Sequence, residues 1–189
     1  MAWEFDKAHT QIEFVAKHMM VSTVRGRFDR FDGTFDLDEP NPANSQVDVT
    51  IDATSISTGQ EQRDGHLRGA DFLDVEKFPA ITFKSTQVKL IGTDRAEVTG
   101  NLTIKGVTRP TVLEVIRAGQ FTDLQGNTRD AYAVTTSISR KDWGLTWNVA
   151  LESGGWLVSD QVKINIETEV FVPKQVAETV AATSGSENA

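Results

Sequence analysis

Apolar and polar residues alternate with a period of two along almost the whole chain, which constrains the fold more than any other property of the sequence. Val162, Ile164, Ile166, Thr168 and Val170 are interleaved with Lys163, Asn165, Glu167 and Glu169. Val47, Val49, Ile51 and Ala53 alternate with Asp48, Thr50 and Asp52, and Tyr132, Val134, Thr136 and Ile138 line one side of a third run. An extended strand places every second side chain on one face, so each run reads as a β-strand with one buried and one solvated side. Further runs at 11–18, 26–37, 81–90, 95–104 and 111–121, with a short one at 3–6, raise the expectation to about eight strands.

Asp32-Gly33, Gly92-Thr93-Asp94, Lys105-Gly106 and Leu124-Gln125-Gly126-Asn127 are glycine-containing connectors of hairpin length, which implies antiparallel neighbours. The stretch 55–79 is too long for a hairpin. In it Gln62, Leu67, Ala70, Phe72 and Leu73 point to a short helix, a lid or end-plug on the strands. Residues 1–173 form the predicted domain; beyond Pro173 the composition reads as weak helix followed by a disordered tail, over 174–189. Antiparallel strands in this number close into a barrel or split into a sandwich, and alternation leaves both open. A barrel of this size holds either a filled core or one small or elongated ligand.

Composition narrows the function. The 189 residues fit one domain with a real core, and the absence of cysteine excludes disulfides, thiolate metal sites and a cysteine nucleophile. Nineteen Lys+Arg against 27 Asp+Glu give a net charge of −8, the wrong sign for nucleic acid or an anionic membrane surface. No apolar run approaches the roughly 18 residues of a membrane span, and no basic-then-apolar leader follows Met1, so the expected compartment is the cytoplasm, or the periplasm if a leader has been removed.

No nucleophile elbow, phosphate-binding glycine loop or dinucleotide fingerprint is present, and the strand carboxylates lie on polar faces. The histidines, His9, His18 and His66, lack metal-motif spacing, so no metal site is expected. His18 shares a face with Ile12, Phe14 and Ala16 and reads as a core histidine or as a hydrogen-bond donor to a ligand's head. Ten Phe and four Trp against one Tyr give rings without hydroxyls to satisfy; Phe14, Phe28, Phe72, Phe78, Phe83, Trp143 and Trp147 are candidates for an apolar lining or for plain core packing. Arg140, beside Lys141 and Asp142, reads as a surface ion pair, and Asp160 as a turn residue.

Several segments together resemble the YceI-like family of bacterial polyisoprenoid-binding proteins. They are Trp3-Glu4-Phe5-Asp6 with His9 and Ile12 to Met19; Val24-Arg25-Gly26-Arg27-Phe28 with Phe31-Asp32-Gly33; Gln62-Arg63-Asp64-Gly65-His66-Leu67 with Asp71 to Pro79; Gly100 to Thr108; and Ser139-Arg140-Lys141-Asp142-Trp143-Gly144. The resemblance spans approximately 3–172 and implies an antiparallel lipocalin-like barrel that carries or stores a polyisoprenoid lipid or isoprenoid quinone. It implies no catalytic residues, no cofactor beyond that lipid, no nucleic-acid partner and a homodimer. Within it, His66 and Leu67 fall in the most specific segment, and Arg25, Arg63 and Arg140 are the cations suited to a polar head at the pocket mouth. Many family members carry a leader peptide and lack the tail seen here. The competing readings are a small enzyme acting on an isoprenoid-like substrate with His18 or His66 as general base, and a filled barrel acting only through partners.

Overall fold

The computed structural model describes residues 3–173; the expected helical and disordered tail lies outside the described residues. Eleven strands and one α-helix follow in order: β1 Glu4–Phe5, β2 Gln11–His18, β3 Ser22–Phe28, β4 Phe31–Asp36, β5 Gln46–Asp52, β6 Ile56–Ser57, α1 Glu61–Arg68, β7 Ala80–Leu90, β8 Arg95–Ile104, β9 Val107–Thr122, β10 Thr128–Ser139 and β11 Val158–Val172. All belong to one sheet, in the order β4-β5-β7-β8-β9-β10-β11-β2-β3-β6, with β1 added against β11. Every pairing is antiparallel. The predicted antiparallel barrel class is the observed one, with bulges between Ala131 and Tyr132 and between Ser85 and Gln87 adding bend to long strands.

The strand count exceeds the expected eight partly because 26–37 is not one strand. The chain breaks at Asp29-Arg30, so β3 pairs with β2 and β6 while β4 pairs with β5. Asp32-Gly33 is therefore not a turn: Gly33 sits inside β4 opposite Val49, where a Cβ would strike the Asp48 carbonyl oxygen. Lys105-Gly106 is a two-residue hairpin turn, both residues with positive φ.

The N-terminal segment links the β4 edge of the curled sheet to β11. Trp3, 6 % exposed, bridges to Phe35 on β4, and the Phe5 ring meets Phe31 and Phe35 at 5.8 and 6.1 Å. Outside, the Arg129 guanidinium binds Asp6, Asp123 and Glu169, which ties β1, the β9–β10 loop and β11 into one knot. Burial alone would raise the Asp6 carboxyl; hydrogen bonds from Arg129, from His9 and from the Ala8 and His9 N–H groups bring it down to about 2. The hydrogen bond from Arg129, helped by Asn127, likewise holds Asp123 well below the usual carboxylate range.

Helix α1 forms without an apolar face. Its sequence, EQRDGHLR, buries only Asp64. Polar contacts hold it instead: Asp64 accepts from the Thr58 N–H at 2.8 Å and the Thr58 hydroxyl at 2.5 Å, Arg63 donates to the Thr58 hydroxyl, and Arg68 donates to the Thr54 and Ile56 carbonyls. The charged residues of the family-like segment thus fasten the helix to β6 and position Leu67, Phe72 and Leu73 over one end of the barrel.

Candidate functional site

Inside the sheet lies a cavity of about 320 Å³. The three alternating runs read from the sequence supply much of its wall: Val162, Ile164, Ile166, Thr168 and Val170 from β11, Tyr132, Val134, Thr136 and Ile138 from β10, and Val47, Val49 and Ile51 from β5. Val98, Leu102 and Ile104 of β8 and Leu113 and Val115 of β9 add to it, as do Ile12 and Phe14 of β2, Phe28 of β3, Phe31 and Phe35 of β4 and Ile81 and Phe83 of β7. Leu67, Phe72, Leu73, Trp143 and Leu145 plug the end beneath α1. The volume falls at the lower end of the roughly 300–1,000 Å³ range of small-molecule sites.

Two glycines shape the wall. Gly26 on β3 faces Phe14 across the ladder, and Gly100 on β8 lies beneath Phe83; a Cβ at either position would collide with the phenyl ring. Without side chains there, the rings lie flat against neighbouring backbone rather than filling the cavity.

Most polar groups of the wall are hydrogen-bonded within the protein. Thr10 and Thr168 share a hydrogen bond of 2.8 Å while the Thr10 hydroxyl also donates to the Asp6 carbonyl, and Thr136 donates to the Val112 carbonyl. The Trp143 indole N–H donates to the Leu102 carbonyl at 3.1 Å, and the Tyr132 hydroxyl to Asp130. Arg140 corrects the surface reading. It is 4 % exposed, faces the cavity and donates to the carbonyls of Ser159, Leu145 and Trp147, because the 3₁₀ turn at Arg140–Trp143 folds its side chain under the plug. Burial lowers the guanidinium pKa, and Asp160 partly opposes that shift. Asp160 is likewise no turn residue; it lies in β11, 2.8 Å from Lys141 and 3.6 Å from Arg140. Arg140 Nη2 alone of its guanidinium nitrogens makes no hydrogen bond and stands 3.6 Å from Asp160. The cavity thus presents an apolar interior with few polar fixtures, most of them bonded within the protein, suited to an apolar chain.

Of the candidate residues, Phe14, Phe28, Leu67, Phe72, Phe83 and Trp143 line this cavity. Five others do not. Trp147 forms a layer behind the plug, stacked edgewise on His66 at 4.7 Å and tilted on Phe72 at 5.3 Å. His66 is bound to Asp71 at 2.9 Å. Phe78 sits over the β8–β9 turn against Gly106. His18 occupies the last rung of β2, between Ser22 and the wall residue Val158, and its own side chain does not line the cavity. Arg25 is exposed opposite Val15, on the outer face, because it is one residue out of step with the inward Val24, Gly26 and Phe28. Arg63, the other candidate cation, is engaged with Thr58. Sequence reasoning missed the inward Asp130, which is fully buried beside Arg117; its signal was an acid in phase with Tyr132, Val134 and Thr136.

Asp6, His9 and Glu169 converge closely enough to ligate a metal ion, but the Arg129 guanidinium already bonds both carboxylates. Among the described residues no helix is long and apolar enough to cross a membrane.

The geometry agrees with what comparison finds. The YceI-like domain matches residues 3–170. A UPF0312 protein of Pectobacterium atrosepticum is 45 % identical over 146 residues, 76 % of each chain. The crystal structure of Burkholderia cenocepacia BcnA superposes with a TM-score of 0.75 at 24 % identity, covering 88 % of this chain and 99 % of BcnA. A polyisoprenoid binding domain from Saccharophagus degradans, implicated in plant cell wall breakdown, superposes at 0.64 with 19 % identity, covering 92 % of this chain and 99 % of that one. Both superpositions establish the shared fold, and the matched domain together with the 45 % relative establishes the lineage: the chain belongs to the YceI-like domain family.

Proposed function

We propose that the protein binds a polyisoprenoid lipid or isoprenoid quinone in the barrel cavity and carries or stores it without chemical change. The observation that carries this reading is the cavity with an almost wholly apolar wall, in which the hydroxyls of Thr10, Thr168 and Thr136 and the indole N–H of Trp143 are bonded within the protein. Family membership supports it, as does the polyisoprenoid binding described for the Saccharophagus domain. Each CH₂ taken from water contributes about 0.8 kcal/mol, so a prenyl tail gains affinity along its length without a decisive polar contact. The enzymatic alternative finds no support in the geometry, since neither His18 nor His66 lines the cavity.

The test is retention of farnesol, followed by tryptophan fluorescence because Trp143 lines the cavity. Phe14→Asp and Phe83→Asp are each expected to abolish retention while the circular dichroism of the barrel persists. Unchanged retention in both folded variants would refute a central apolar site.

A further inference from the structure

A second chamber of about 380 Å³ opens at the barrel end opposite α1, among the ends of β4, β7, β8 and β9. It shares Phe35, Val47, Val98, Val115 and Tyr132 with the main cavity. The Phe35 and Tyr132 rings meet edge to face at 5.7 Å, so this pair stands at the boundary between the two spaces. The other end is closed by the plug under α1. An elongated molecule in the cavity therefore has its exit, and room for its polar end, at the Phe35–Tyr132 side.

The chamber is less apolar than the main cavity, with charged residues among aliphatic ones, and one of its two arginines is already paired. Asp130 has no exposed surface; both of its oxygens accept from Arg117 Nε, at 2.9 and 2.8 Å, one also takes Nη2 at 2.6 Å, and the Tyr132 hydroxyl donates to it at 3.1 Å. Arg117 is thereby neutralised, with its other terminal nitrogen, Nη1, left to donate to a ligand; its side chain is 41 % exposed. Arg95, Glu39 and Asp94 also line the chamber. With Asp130 included, the acids outnumber the arginines, so a phosphate or diphosphate entering would meet uncompensated negative charge, whereas a carbonyl or hydroxyl oxygen would find guanidinium donors without that cost.

We infer that this outer chamber receives the head of the cavity's ligand, and that it selects an uncharged, oxygen-bearing head against a phosphorylated one. The inference rests on the proposed apolar-chain site. Arg117 and Arg95 donate to the head oxygen; Glu39 and Asp94 exclude anions.

Three probes with one tail separate the two claims: farnesol, farnesyl diphosphate and the headless hydrocarbon farnesene, titrated into the full chain. Farnesol is expected to bind about tenfold or more tighter than the diphosphate, and tighter than farnesene. Glu39→Lys with Asp94→Lys, both exposed positions, is expected to raise diphosphate affinity about tenfold while leaving farnesene unchanged. Arg117→Gln with Asp130→Asn, which removes both charges together, is expected to bring farnesol down to the level of farnesene. If no probe binds, the cavity reading itself fails and takes this inference with it. Equal binding of all three, or tightest binding of the diphosphate, leaves the cavity site standing and overturns the selection of the head.

Discussion

The two ends of the barrel solve the same problem, polar groups beside an apolar interior, by opposite means. At the plugged end Arg140 is spent on main-chain carbonyls and Asp64 on a main-chain N–H and the hydroxyl of the same threonine, so the helix and the 3₁₀ turn are fixed in place. At the other end Asp130 is held by side chains alone, Arg117 and Tyr132, and Arg117 remains partly exposed. A guanidinium bonded to three main-chain carbonyls is held in one place, whereas an ion pair at a rim keeps donors available to a ligand. The difference assigns structure to one end and exchange to the other.

Breaking the plugged end has the largest expected effect. Arg140→Met leaves three carbonyls, one buried and two part-buried, without their donors and is expected to cost about 3–5 kcal/mol in urea unfolding. A loss comparable to that of an exposed arginine, such as Arg25→Met, would show that the plug is not held this way. Next comes the wall between the ends. Gly26→Ala drives a methyl into the Phe14 ring and turns it into the cavity, with an expected fall of roughly tenfold in farnesol affinity while the barrel persists.

A smaller effect separates barrel closure from cavity filling. The Asp6 carboxyl is depressed from 3.8 to about 2, so its contribution is fully present above pH 4 and is lost as pH falls through 2. Thermal denaturation should show this acid limb in the native chain and a shallower one in Asp6→Asn. Identical acid limbs would mean that the Arg129 knot does not bear on closure. The smallest effect concerns the β2–β3 turn, where Met19 and Met20 both adopt positive φ. Met19→Asn with Met20→Gly suits that turn and is expected to stabilise by about 1 kcal/mol, with ligand affinity untouched.

The strands were legible because their inward faces repeat in register: every second residue of β5, β10 and β11 that alternation marks as apolar does reach the cavity. What escaped the sequence is position along and around the strand. His18 keeps the inward phase of Phe14 and pairs with the wall residue Val158, yet its side chain does not reach the cavity, and periodicity does not report where a cavity ends. Arg25 lies in a family-like segment, but phase alone turns it outward. Arg140 and Asp130 were obscure for a different reason. A charged residue reads as exposed unless its partners are known, and those partners are a carbonyl set assembled by a 3₁₀ turn and an arginine on the adjacent strand. Asp32-Gly33 misled because glycine serves turns and close backbone approaches alike, and only the pairing with Val49 tells them apart.

The most direct test of the central claim is organic extraction of protein purified without detergent, with mass spectrometry of the extract. The account predicts a prenylated lipid at about one per folded chain, lost in Phe83→Asp. An intact barrel that yields no such species, and takes up neither farnesol nor a prenyl quinone when incubated with them, would contradict it.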